Sequence, residues 1–283
     1  EDRTPNGGDV QATVDTINAH LAASGYQGPG VSTGIYANPV DALTALAKVD
    51  HHVTTGDLLT IRYSAYTVDS DHSRGAGGTA APSASAGLDN VDQTIAGSYV
   101  RVLSDRTIWE TRGQFAYSNL KALPADPIGP AVSISGVASF GTSSGSPTGR
   151  VTHMSEIVSN LSYQQGRHAL KAGVDVLAND VTITYPRSVR GAYAFSNLAN
   201  FLAGVYTNTG FTQTFGDSTI AQTNPNLGVY AQDEWRIRPS LTLNLGLRYD
   251  LQWLETIATD TNNVSPPLGA AWALDAAHRS VLR

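Results

Sequence analysis

The sequence predicts an all-β protein, built as an antiparallel up-and-down meander of long hairpins. Three observations carry that reading. Apolar residues recur at every second position from about residue 42 onward, the period of a strand with two unlike faces. The runs reach about 9–11 residues, whereas strands of water-soluble proteins most often have about 5–6. Connections between the runs alternate between short and long, as they do when each tight turn closes one hairpin.

Taken in order, residues 42–53 alternate weakly, with Leu43, Ala45, Ala47, Val49 and Val53 on one face, and "TTGD" (54–57) turns the chain. Residues 58–68 set Leu59, Ile61, Tyr63 and Ala65 against Thr60, Arg62 and Ser64. The Gly, Ser, Ala and Asp stretch 69–90 reads as loop. A strand over 91–103, whose faces the pattern does not separate, turns at "SDR" (104–106) into 107–117. There Trp109, Phe115 and Tyr117 oppose Glu110, Arg112 and Gln114. A second loop spans 118–153. Ile157, Leu161 and Tyr163 then oppose Glu156, Asn160 and Gln164, and "QGR" (165–167) leads into 168–179. That strand carries Leu170, Ala172, Val174 and Val176 against Lys171, Asp175 and Asn179. After a third loop (180–225), residues 226–237 run to "RPS" (238–240). The clearest run follows, with Leu241, Leu243, Leu245, Leu247, Tyr249 and Leu251 on one face and Thr242, Asn244, Gly246, Arg248 and Asp250 on the other. Residues 266–274 begin another strand, with "DAAHR" (275–279) as its tight turn. That makes about nine strands.

Two segments read as helices. In 10–24, Val10, Val14, Ile17 and Leu21 share a face, with Asp9 as cap and Gly25 as stop; in 197–203, Leu198, Phe201 and Leu202 do so between Ser196 and Gly204.

A Greek-key sandwich would break the alternation of connections with crossings between sheets. Long strands joined by short turns on one side and long loops on the other suit a transmembrane β-barrel, of which these hairpins form part. In such a wall the apolar face meets lipid and the polar face a wet lumen. The reading therefore sets Leu59, Ile61, Tyr63, Val174, Leu241, Leu243, Leu245 and Leu247 toward lipid. It sets Arg62, Glu110, Arg112, Lys171, Asp175, Arg248 and Asp250 toward the lumen. Tyr63, Trp109, Trp235 and Tyr249 fall near the ends of these runs, where an interfacial girdle would sit. By domain, 1–40 is a loop-like segment with a short helix on the extracellular side, and 41–283 is the partial barrel.

Composition narrows the function. The 283 residues carry a formal charge of −6 with 15% charged residues, so no basic footprint points to nucleic acid. The absence of cysteine excludes thiolate metal sites and Cys nucleophiles. No run of about 18 apolar residues offers a membrane-spanning helix, and the polar opening "EDRTPNGGDV" shows no signal peptide. Met154 is the one methionine, so the chain reads as a fragment of a longer protein.

At "NLGVYAQDEWRIRPSLTLNLGLRYDLQ" (226–252) the sequence resembles TonB-dependent outer-membrane receptors, closest to the Oar-like group with an N-terminal carboxypeptidase-regulatory-like domain. "KVDHHVTTGDLLTIRYSAY" (48–66), "GRHALKAGVDV" (166–176) and "NNVSPPLGAAW" (262–272) are similar to barrel strands of the same group. The resemblance implies a barrel of about 22 strands, plugged by an N-terminal domain and energised by the TonB complex, that imports a scarce nutrient across the outer membrane. No plug domain and no TonB-contacting box can be found here, and about nine strands cannot close a barrel of that size. The partners implied are outer-membrane lipid, the protein's own plug domain, the TonB complex and a small-molecule, glycan or peptide substrate.

Chemical motifs are weak. "GTSSG" (141–145) matches a nucleophile elbow around Ser143 but lies in a Gly/Ser loop rather than a strand–turn–helix. Asp69 and Asp71 hint at calcium, yet Arg74 and Ala80 stand where an EF-hand has Gly and Glu. His51 and His52 are adjacent on a strand and point to opposite faces. "GAGG" (75–78) lacks the Gly-Lys-Ser/Thr ending of a P-loop. The expectation is a transporter or receptor wall with no catalytic residues, no metal and no cofactor. An adhesin or surface-binding barrel without transport is the alternative, and an outer-membrane hydrolase is a weaker third reading.

Overall fold

The computed structural model describes residues 7–32, 34–275 and 279–282. Most of them form one curved wall. Its long strands are β1 (Asp41–Thr54), β2 (Asp57–Arg74), β3 (Ala86–Ser104), β4 (Thr107–Ala122), β7 (Thr148–Gln165), β8 (His168–Thr184), β11 (Thr219–Arg238) and β12 (Leu241–Gln252). Shorter pieces continue it as β13 (Val264–Ser265), β14 (Leu268–Ala273) and β15 (Val281–Leu282). The order is β1-β2-β3-β4-β7-β8-β11-β12-β14-β15, every pair antiparallel, with β13 also on β12. This is the meander expected. The tight turn at 275–279 lies partly outside the described residues, at 276–278.

The strands are longer than the apolar pattern. β2 runs on to Arg74 and β3 starts at Ala86, so the loop expected at 69–90 shrinks to its middle; 118–153 and 180–225 shrink likewise to 123–147 and 185–218. The ladder continues through Thr67↔Val91 and Asp69↔Asp89, where both faces carry polar residues and the two-residue period fades. Register shifts mark the tight turns, between His52 and Thr54, Val102 and Ser104, and Arg236 and Arg238. Pro225 sits inside β11, where a proline would normally cost a ladder bond. Its carbonyl accepts from Trp253 N at 3.0 Å, so its missing N–H faces the place where β12 has already ended. The strand expected at 266–274 starts only after Pro266 and Pro267, as β14 at Leu268, with the two-residue β13 before the prolines, and Gly246 N still reaches the Pro267 carbonyl at 2.9 Å.

The buried core lies elsewhere. The long loops carry β5 (Ala131–Ile134), β6 (Ala138–Gly141), β9 (Ala192–Phe195), β10 (Phe211–Thr212) and α2 (Leu198–Leu202), while α1 (Gly7–Ala23) precedes β1. The four strands make a second sheet in the order β10-β9-β5-β6, with β5 parallel to β9. One face of it holds Ile134, Phe140 and Phe195 against Val14 and Ile17 of α1 and Phe201 of α2. Phe201 meets Phe195 and Phe140 edge-on, at 5.3 and 5.7 Å between centroids. We call this unit the cap.

Both helices were legible, with different caps. α1 starts at Gly7, ahead of Asp9, so Asp9 lies inside the first turn. Gly25 does stop it: at φ +79° it lets Tyr26 N reach back to the Leu21 carbonyl at 3.1 Å, a Schellman closure. Val14 and Ile17 are buried while Val10 is exposed. In α2 the cap is Asn197, whose side chain accepts from Asn200 N at 2.9 Å; Ser196 accepts from the Asn200 side chain instead.

The wall itself has almost no core. The chain exposes 17664 Å², against about 11,600 Å² for a folded soluble monomer of its mass. Large apolar side chains contribute to the surplus: Leu247 is 55% exposed, Ile157 58% and Leu43 65%. No protein layer covers this face among the described residues.

Candidate functional site

Residues opposite each other in a ladder point to the same face, so the registers sort the wall into two sides. One row of the polar side reads Lys48, Arg62, Ala96, Gln114, Glu156, Leu177 and Asn226. The next reads Asp50, Thr60, Ser98, Arg112, Val158, Asp175, Gly228 and Asp250, and a third runs His52, Leu58, Val100, Glu110, Asn160, Gly173, Tyr230 and Arg248. Lys171 lies on the same side, opposite Ser162 and Gln232. Thus the structure gathers Arg62, Glu110, Arg112, Lys171, Asp175, Arg248 and Asp250 on one face. Leu59, Ile61, Tyr63, Val174, Leu241, Leu243, Leu245 and Leu247 share the other. The same registers divide β3, which the sequence could not, with Ser98 and Val100 on the polar side and Ile95 and Tyr99 on the apolar one.

The polar face is stitched together. Lys48 Nζ lies 2.8 Å from Asp50 Oδ2, and Thr60 donates to Asp50 Oδ1 at 2.6 Å. Arg112 pairs with Glu110 at 3.4 Å, and Gln114 donates to Glu156 at 2.6 Å. Arg62, Arg112 and Lys48 together with Gln114 and Glu156 line an open concavity of about 480 Å³. Farther along, the Arg248 guanidinium grips Asp250 at 2.7–2.9 Å, and Tyr230 donates to Asn160 Oδ1 at 2.6 Å. Two glycines make room for this second cluster. A Cβ on Gly173 would lie 2.6 Å from the Tyr230 ring and closer still to Asn160, and one on Gly228 would meet Arg248 and Asp250. None of these spacings was visible in the sequence.

On the apolar face the aromatics gather toward the tight turns. Tyr99 meets Trp109 edge-on at 5.9 Å, and Trp109 Nε1 donates to Ser159 at 2.9 Å. Trp235 stacks on His168 at 5.3 Å, and Trp272 pairs with Leu241. Tyr63 is an exception to the expected girdle. It lies seven residues into β2, because that strand extends well past its apolar part. From Trp109 to Tyr117 on β4 is eight residues. At about 3.3 Å per residue and about 40° tilt that spans about 20 Å of membrane, close to the apolar band of a barrel.

The weaker candidates stay apart. Ser143 lies in the cap loop, its carbonyl accepting from Ser146 N at 3.0 Å. Asp69 and Asp71 sit in the β2 extension rather than a calcium loop, and Asp69 faces Asp89 across the ladder. His51 and His52 oppose Leu59 and Leu58, one on each face, beside the first tight turn. Gly75, Gly77 and Gly78 all have positive φ in a turn. No group of three or more His, Asp or Glu residues suited to a metal exists among the described residues.

In the cap, Asp126 is fully buried and accepts from Ile128 N at 2.8 Å and Gly129 N at 3.2 Å, as well as from the Tyr26 hydroxyl. Burial first, then the bond to Asp126, raises the Tyr26 pKa above the ordinary tyrosine range. This latch ties the segment after α1 to the loop after β4. Sequence gave no sign of it, since the two residues lie 100 positions apart.

A two-faced meander of strands this long, one side polar and the other covered by none of the described residues, defines an outer-membrane β-barrel wall. The chain belongs to the outer membrane β-barrel domain family, whose model matches residues 16–256, and it is a protein of the outer membrane. Its fold is similar to the outer membrane transporter YddB of Escherichia coli (TM-score 0.59, 16% identity, 87% of this chain and 31% of that one). It is also similar to the ferripyoverdine receptor of Pseudomonas aeruginosa (0.57, 11%, 84% and 34%) and the alcaligin receptor FauA of Bordetella pertussis (0.53, 13%, 84% and 34%). The chain thus spans about a third of the length of these proteins. No curated protein sequence matches it.

Proposed function

We propose that the chain is one part of the barrel of a TonB-dependent outer-membrane receptor of the Oar-like group, taking up a scarce nutrient. The observation that carries this is the division of the wall: a leucine face with none of the described residues over it, and an opposite face of linked Arg, Lys, Asp, Glu and Asn side chains. Lipid covers the first, and the second lines the lumen, where it faces the plug domain of the full-length protein. The cap, with α1 in it, then lies at the extracellular mouth, because the long loops all leave the wall at one end and the tight turns at the other. The fold likeness to a transporter and two outer-membrane receptors supports a transporter rather than an enzyme.

The test is a pair of single-cysteine variants, Leu245→Cys and Arg248→Cys, in the full-length protein in lipid. A water-soluble maleimide should label residue 248 and spare residue 245; the opposite result overturns the assignment of faces. Transport, as against adhesion, requires the full-length protein to bind the periplasmic domain of TonB. Failure to bind it would favour the adhesin.

A further inference from the structure

Asp57 and Arg101 lie on the leucine face beside the tight turns and pair with each other at 3.6 Å, whereas another charged residue of that face has only a histidine beside it. Asp233, in the middle of "YAQDEW", belongs to the leucine face, opposite Leu170 on β8 and Leu245 on β12. It lies two residues inside Trp235, near the tight turns. Its carboxylate takes a single hydrogen bond among the described residues, from His168 Nδ1 to Oδ2 at 2.6 Å, while Oδ1 is buried and has none, which leaves Oδ2 as the oxygen a ligand can reach. A carboxylate offers about four acceptor sites. His168 is the ladder partner of Trp235, and the two rings stack at 5.3 Å and 18°. The imidazole is 44% exposed and the carboxylate beside it 21%.

A carboxylate facing hydrocarbon is costly at mid-membrane and nearly free at the interface, where donors exist. From this placement we infer that His168, Asp233 and Trp235 form a site for the headgroup of a phospholipid bearing a primary ammonium, in the leaflet nearest the tight turns. The bonded Oδ2 keeps a free lone pair for an ammonium N–H, and Nε2 faces the headgroup phosphate. Trp235 supplies the amphipathic ring that sits at headgroup level. A trimethylammonium headgroup has the same charge but no N–H to give, so the site discriminates between the two. The inference rests on the leucine face meeting lipid, as proposed above.

The experiment uses the full-length protein in nanodiscs of phosphatidylethanolamine, phosphatidylcholine or phosphatidylglycerol, with retained lipid counted by native mass spectrometry. The wild type should retain phosphatidylethanolamine over phosphatidylcholine by about ten-fold at one site, the worth of one charge-assisted hydrogen bond. Asp233→Asn should erase that preference; it keeps the side-chain shape and an acceptor for His168. Equal retention of the two zwitterionic lipids, or preference for phosphatidylglycerol, overturns the site, and the wild-type comparison decides this even where the variant fails to fold. Brominated acyl chains separate the two levels of failure, read as the quenching lost in Trp235→Phe. Absence of quenching at Trp235 refutes the lipid face itself. Quenching without headgroup preference refutes only the site.

Discussion

Gly173 offers the sharpest test of the inner-face packing. Replacing it by alanine adds a Cβ that would lie 2.6 Å from the Tyr230 ring, so the ring must lift and its hydroxyl leaves Asn160, now 2.6 Å away. Overpacking of this kind costs about 1–3 kcal/mol. Asn160 is only 4% exposed, and a buried acceptor that loses its donor costs about 1–3 kcal/mol more. The two overlap, because a single ring movement causes both, which places the expected loss at about 2–4 kcal/mol. Gly97 is the control. It too lies within a strand of the wall, but a Cβ there would meet only the Thr60 carbonyl, at 3.7 Å. Gly97→Ala should therefore be neutral within about 0.5 kcal/mol, or slightly stabilising through the lost flexibility of the unfolded chain. The assay is urea unfolding of the full-length protein from lipid vesicles, read as the shift in midpoint at constant slope. In a Tyr230→Ala background the cost of Gly173→Ala should fall by about half or more. Equal midpoints for the two alanine variants would refute the reasoning.

Three further outcomes follow from the cap. Tyr26→Phe removes the hydroxyl that donates to buried Asp126 and should raise amide exchange in α1 by about ten-fold or more, with the wall strands unchanged. Because burial raises the Tyr26 pKa, the neutral phenol is the folded form. Its contribution is complete below the unfolded tyrosine pKa of about 10 and declines above it. The cap should thus loosen above about pH 10 in the wild type and lose that dependence in Tyr26→Phe, as followed by hydrogen exchange against pH. Ile17→Ala, at a fully buried position, should destabilise the cap by about 2–4 kcal/mol and leave the wall unaffected, measured as local protection in α1, β5 and β9.

What the sequence made legible is set by solvent. Where the two faces of a strand meet different media, side chains must alternate, and β12 shows the period without a break from Leu241 to Leu251. Beyond that band both faces carry polar side chains, and Asp69, Asp89 and Lys121 share a row, so strand and loop composition converge while the ladder continues. β3 failed for a related reason: Gln93 and Gly97 interrupt its apolar face, and Val100 and Val102 interrupt its polar one. The cap was hidden more completely. Ile134, Phe140 and Phe195 sit in four-residue strands inside Gly- and Ser-rich stretches, too short to show any period, and they find α1 only through contacts across the chain. For the polar face, residue type and side were readable, but Tyr230 with Asn160 and Arg248 beside Gly228 depend on register, which no local pattern fixes.

The ion pairs of the polar face reveal what they are for by their spacing. Lys48 with Asp50, Glu110 with Arg112, Glu234 with Arg236 and Arg248 with Asp250 are each two residues apart on a single strand. Residues so placed share a face without help from any neighbour. All are partly exposed, and exposed pairs contribute about 0–1 kcal/mol, so they do not clamp strand to strand. Their effect is on charge. Each of these strands presents its polar side nearly neutral before it meets its partner, which keeps the repulsion between adjacent rows small in any register the backbone tries. The bonds that do cross strands, Thr60 to Asp50, Gln114 to Glu156 and Tyr230 to Asn160, each use at least one neutral group. Register is then chosen by shape, through the room that Gly173 and Gly228 leave, and by the continuity of the leucine face, since a slip of one residue would turn Arg248 and Asp250 to the apolar side.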